Sequence, residues 1–193
     1  QGITGAVISS GKHSLCNGAN LCYEKKAFVE VNGFEGIDHI ASGDDILLMQ
    51  KFRKRFTGKI HFLKSRDAIV TTAPLNNWKE FFLQRIRWAS KTGHYKERSL
   101  YISLAQVYAL NVSFLLLAIF SFSDRRAGMF LLLFFLGKLL IEFPFVNMIA
   151  SFFSEKKQMK WFVVLQPLHI AYTVLAGTLG AFGSYQWKGR NIH

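Results

Sequence analysis

Cysteine and proline are scarce in this chain of 193 residues, with two of the first and three of the second. Cys16 and Cys22 make no disulfide framework and read as reduced, partly buried thiols of a cytosolic domain. His13 lies three residues before Cys16, but these few ligands without a fourth make a weak metal site. Acidic side chains are also few, 12 against 24 Lys and Arg, which leaves a net charge of +12. No period recurs, which excludes repeat and collagen-like architectures. No basic stretch followed by an apolar core opens the sequence at Gln1, so no signal peptide is read there. A processed chain or a fragment is the expectation.

What is abundant is apolar. Half of the residues are hydrophobic and 19 are Phe, too many for a disordered chain. Charge is divided unevenly: residues 1–99 carry 16 basic and 9 acidic groups, whereas 100–193 carry 8 and 3. The pattern predicts a basic polar half followed by a membrane half.

Ser99 to Ser123 is a run of 25 residues without a charge. As a helix it would extend roughly 37 Å, beyond the ~30 Å of bilayer hydrocarbon. A second uncharged run, Trp161 to Trp187, has 27 residues between Lys160 and Lys188. Both are expected to span. Between them, 127–153 is interrupted by Lys138, Glu142 and Pro144. It reads as a third spanning helix, kinked or broken near Pro144, or else as a re-entrant or interfacial segment. Lys138 and Glu142 stack four apart on one face and can pair within a bundle, as a structural pair or as part of a transport path.

Loop charge orients the helices. Lys91, Lys96 and Arg98 precede the first run, and Lys156, Lys157 and Lys160 precede the last. The connection near Asp124 has only Arg125 and Arg126. Residues 1–98 and the 154–160 loop are thus expected in the cytoplasm. Three crossings would leave Lys188 and Arg190 outside, against that bias.

The polar half reads as mixed α/β. Leu21–Tyr23, Ile60–Leu63 and Ala68–Thr72 are short strand candidates. Lys25–Val31 is a short helix candidate with a turn at Asn32–Gly33. From Asp45 to Phe56, apolar Ile46, Leu47, Met49 and Phe52 alternate with Lys51, Arg53, Lys54 and Arg55 as on an amphipathic helix. Its basic face suits anionic lipid better than nucleic acid, and no nucleic-acid motif accompanies it.

Two clusters carry possible chemistry. Ser42-Gly43-Asp44-Asp45 sits at a helix start, where carboxylates cap and meet the helix dipole, or where one acts as a general base. On a helix of about 77–91, Trp78, Phe81, Phe82, Ile86 and Ala89 form an apolar face beside Gln84, Arg87 and Trp88. The plain reading is an interfacial amphipathic helix. Arg also supplies a planar fork for phosphate, and Trp a flat face for a sugar ring.

Together these stretches resemble a membrane-bound glycosyltransferase of family 2, the inverting group that includes cellulose, hyaluronan and ceramide glucosyl synthases. The resemblance rests on Cys16-Asn17-Gly18-Ala19-Asn20, Tyr23-Glu24-Lys25-Lys26-Ala27-Phe28 and Val31-Asn32-Gly33-Phe34. It continues through Ser42-Gly43-Asp44-Asp45-Ile46-Leu47-Leu48 and Gln84-Arg85-Ile86-Arg87-Trp88, in order over about residues 14–98. It implies a partial GT-A (Rossmann-like) α/β catalytic half, followed by an all-α transmembrane bundle. Residues 1–76 would close the catalytic domain, 77–98 form the interfacial helix, and 99–193 hold about three helices (99–123, 127–153 and 161–187).

The resemblance also assigns roles. Asp45 takes the place of the base that deprotonates the acceptor hydroxyl, and a shifted register would give that place to Asp44. Gln84, Arg87 and Trp88 match the motif bordering the nucleotide diphosphate and the acceptor. Asn17, Gly18, Ala19 and Asn20 resemble a loop lining the substrate pocket. The family's donor half and its Asp-x-Asp metal motif have no counterpart here, so the chain resembles the C-terminal half alone. Mg²⁺ or Mn²⁺ is implied for the whole enzyme, without ligands in this segment. The implied partners are a nucleotide-sugar donor, a lipid or glycan acceptor and the membrane, with no nucleic acid. The implied location is an integral membrane protein with a cytoplasmic catalytic part, in a bacterial inner membrane. A non-enzymatic scaffold or transporter subunit is the alternative.

Overall fold

A computed structural model describes residues 16–38, 43–90 and 98–182, with the backbone of 185–187 and 190–192. Ser42 and His13 lie outside the described residues. The chain divides into two compact units, one reaching to Pro74 and one containing Leu75–His94 and everything from Arg98 onward.

In the first unit, α1 (Lys25–Glu30) and α2 (Asp44–Arg55) flank a tight turn. Asp44 and Asp45 open α2 while Arg53, Lys54 and Arg55 close it, so both ends of its dipole meet the opposite charge. Ile46, Leu47, Leu48, Met49 and Phe52 are buried. Val31, Leu48 and Phe52 form a small core, with Ala27, Phe28, Ile37, Phe56 and Ile60 packed around it. Gly33, at φ 45°, permits the turn; a Cβ there would lie 2.6 Å from the Phe28 ring. Lys51 fastens the same turn from α2. Its ammonium donates to the carbonyls of Asn32, Gly33 and Glu35 at 3.3, 2.6 and 2.9 Å.

This unit corrects the expected Rossmann-like α/β half. Among the described residues it contains helices, turns and extended loops but no strand ladder. Leu21–Tyr23, Ile60–Leu63 and Ala68–Thr72 all run without a neighbouring strand. A strand is stabilised by the partner that takes its N–H and C=O groups, and β-branched composition alone supplies none. Tyr23 instead stacks on Phe28 at 5.5 Å, and Ile60 joins the helical core.

The second unit is built on helices. Asn77 opens α3 (Trp78–Ser90): its Oδ1 accepts the Glu80 N–H at 2.8 Å, and its amide donates to the Glu80 carboxylate at 3.0 Å. The first bond caps a backbone donor of the opening turn, and the second ties the two side chains together. α4 (Arg98–Phe120) and α5 (Arg125–Phe152) pack against each other across a short connection. There Asp124 caps α5 by accepting the Arg126 N–H at 2.8 Å. Pro144 is contained within α5, which continues past it to Phe152.

Both helices are long and apolar enough to cross a membrane. Their apolar side chains face outward: Leu140 and Ile141 are 75% and 79% exposed, as on a lipid-facing surface and not in a soluble core.

The third apolar run departs from expectation. A 3₁₀ segment at Lys156–Trp161 is followed by turns, and α6 begins only at Gln166, ending at Phe182. The helix has 17 residues, or about 25 Å. Absence of charge marked the run correctly as apolar but not as one helix. Pro167 occupies the first turn, where its missing N–H has no role, and so marks a start inside the run. After α6, β1 (Tyr185–Trp187) pairs antiparallel with β2 (Arg190–Ile192), Trp187 opposite Arg190.

α6 packs on α3 and α4 through its small residues. A Cβ on Gly177 would meet the Tyr108 ring at 2.7 Å, and Tyr108 Oη hydrogen-bonds Thr178 Oγ1 at 2.7 Å.

Candidate functional site

The first cluster surrounds Asp45. Gly43 caps α2 in the left-handed region, at φ 95°, with no side chain to offer the helix. Asp44 and Asp45 therefore stand in the first turn itself. Asp44 is exposed, whereas Asp45 is partly covered and fixed. Its Oδ2 accepts the Gly18 N–H at 2.9 Å, and its Oδ1 the Ile46 N–H at 2.8 Å. Four lone-pair positions on a carboxylate leave room beyond these two bonds for an incoming hydroxyl.

The Asn17–Asn20 loop reaches Asp45 through a 3₁₀ turn at Gly18–Asn20. Asn17 Oδ1 accepts the Ala19 N–H at 3.1 Å, and Asn20 donates to the Ala68 carbonyl at 2.7 Å. Gly18 suits the close approach, since a Cβ there would touch Asp45 at 3.4 Å. Asn17, Gly18, Ala19 and Asn20 are all exposed around the carboxylate. The structure thus brings Asp45 together with the Asn17–Asn20 stretch, 27 positions apart in sequence.

The second cluster belongs to the other unit. On α3, Gln84 and Arg87 are partly buried and Trp88 is exposed. Arg85, absent from the sequence-based site, is central here. Its guanidinium lies 4.4 Å from the Trp88 ring, 4.8 Å from Phe81 and 6.0 Å from Tyr172 on α6. Phe81 in turn meets Tyr172 edge-on at 5.3 Å. Aromatic residues four before and three after Arg85 fall on its face of a helix, a signal available in the sequence. Tyr172, 87 positions later, was not.

A third polar group lies between α5 and α6. Lys138 Nζ donates to Glu142 Oε2 at 2.5 Å and to Gln166 Oε1 at 2.7 Å. The Gln166 amide returns to Glu142 Oε2 at 3.1 Å. Lys138 is buried, and each of the three side chains satisfies the others. Burial without such partners would be heavily penalised.

Among the described residues, no three His, Cys, Asp or Glu side chains gather as a metal site requires. Asp44 and Asp45 alone do not fit a divalent cation that needs several oxygen ligands. Cys16 and Cys22 form no disulfide. No protein-family model, curated protein or solved structure matches the chain.

Proposed function

We propose that this chain is the membrane-anchored, acceptor-side part of an inverting glycosyltransferase. It would move a sugar from a nucleotide-sugar donor to a lipid or glycan acceptor at the cytoplasmic membrane face, in a bacterial inner membrane. The observation that supports this reading is the Gly18 N–H held on the Asp45 carboxylate. It joins two stretches that the family resemblance assigns to one substrate pocket.

In this reading Asp45, oriented by Gly18 and Ile46, takes the proton of the acceptor hydroxyl as that oxygen attacks the anomeric carbon. The bond from that carbon to the diphosphate breaks on the opposite side, and configuration inverts. Asp44, solvated and unheld, is the poorer candidate for the base. Arg87 is assigned to the negative charge of the departing diphosphate and Trp88 to the acceptor ring, with Gln84 bordering both. Mg²⁺ or Mn²⁺ belongs to the proposed enzyme as a whole, with its ligands outside this segment.

A scaffold or transporter subunit is the second reading, and the buried Lys138 favours it. Yet Lys138, Glu142 and Gln166 satisfy one another, an arrangement suited to locking helices and not to passing an ion. The deciding experiment measures nucleotide diphosphate release from a panel of nucleotide sugars, in membranes that hold the whole protein. Turnover abolished by both Asp45→Asn and Arg87→Ala, at unchanged protein level, supports the transferase. Turnover that survives both makes the motifs structural.

A further inference from the structure

We propose that residues Lys156–Phe182 lie along an anionic phospholipid leaflet, held by lipid headgroups, and that the chain crosses the membrane only twice. α6 has 17 residues, about 25 Å of helix, less than the ~30 Å of hydrocarbon. The chain before it also turns back beside α5. Phe162 meets Phe143 edge-on at 5.6 Å, and Gln166 reaches Lys138 and Glu142. Lys160 is two residues from Phe162, and its ammonium belongs in the headgroup layer. That layer is therefore near Phe143, 18 residues and about 27 Å from Arg125, close to one bilayer crossing. α5 completes its crossing there, and α6 starts near the surface.

The composition of the segment fits the same partner. Lys156, Lys157 and Lys160 precede Trp161, Val163, Val164 and Leu165, whose side chains are exposed. Lysines beside exposed apolar groups match anionic headgroups above hydrocarbon. On α6, exposed Leu168, Leu175, Leu179 and Phe182 share one face, while Ile170, Ala176 and Gly180 are buried on the other. Two crossings also remove the charge conflict. The residues before α4, the Lys156–Lys160 loop, Lys188 and Arg190 then share one side, opposite the short connection at Asp124.

The test uses the full chain in vesicles of phosphatidylglycerol and phosphatidylcholine. Trp161 is left as the single tryptophan by Trp78→Phe, Trp88→Phe and Trp187→Phe. Its fluorescence is expected to be quenched most by lipids brominated near the headgroup. Removing phosphatidylglycerol, or combining Lys156→Gln, Lys157→Gln and Lys160→Gln, should reduce that headgroup-region quenching, each lysine contributing about fivefold to the segment's hold on the surface. Quenching strongest from the bilayer centre, no quenching, or indifference to both changes would overturn the proposal. A second readout avoids the tryptophan changes: Ser123→Cys and Asn191→Cys are each made in a Cys16→Ser, Cys22→Ser background. An impermeant thiol reagent should label them from opposite sides, and labelling from the same side would overturn the two-crossing topology.

Discussion

Gly180 and Ala89 bring α6 and α3 together so closely that a methyl group at 180 would lie 2.7 Å from the Ala89 Cβ. It would also lie 2.9 Å from the Ile86 carbonyl oxygen and the Ser90 nitrogen. Backbone cannot swing aside as a flexible side chain can. Gly180→Val is therefore expected to separate the helices and lower stability by about 1–3 kcal/mol. Gly137→Ala, where nothing lies within 4 Å, should be neutral or slightly stabilising. Thermal unfolding in detergent compares the two.

The Lys138, Glu142 and Gln166 group predicts a contrast between breaking and replacing. Lys138→Met alone leaves a partly exposed carboxylate and a buried amide without their cation, and should cost about 1–3 kcal/mol. Combining it with Glu142→Leu and Gln166→Leu should recover most of that loss. Reversible unfolding in lipid discs gives both values; a triple variant as unstable as the single one would refute mutual satisfaction as the basis of the group.

Individual helices of this architecture were legible in the sequence, whereas the class of the first unit was not. The uncharged run after Arg98 became α4, and the basic amphipathic pattern from Asp45 became α2, because periodicity and charge act locally. Lys138 and Glu142 were paired by their spacing of four. Gln166, the third member, required knowledge of where α6 would lie. Gly18 meeting Asp45 was suggested only by resemblance, since local spacing says nothing about two loops 27 positions apart. The strand candidates failed for a related reason: Ile60 and Val70 suit a sheet, but the fold provides them no neighbour.

Asp45→Asn keeps the shape of the side chain and an oxygen for one N–H, while removing the proposed base. Diphosphate release is expected to fall about 10²–10⁴-fold with little loss of folding. Asp44→Asn, at an exposed position, should leave release near the wild-type rate. A reversed order of the two effects would move the base to Asp44.

Lys51 predicts a local effect. Lys51→Met withdraws a charged donor from the carbonyls of Asn32, Gly33 and Glu35, and should destabilise the first unit by about 1–3 kcal/mol. Amide hydrogen exchange should accelerate across 31–37 before it does in α4 or α5.

The brief link from Phe120 to Arg125 bears on how the protein enters its membrane. Two apolar helices joined by so few residues can insert together as a preformed hairpin, leading with the turn. Very little polar chain then has to be carried through the lipid. In the folded protein Asp124 accepts the Arg126 N–H and so covers one backbone donor at the turn. Lengthening this link with charged residues would turn a simple insertion into the translocation of a loop, and should slow biogenesis while leaving the finished fold intact.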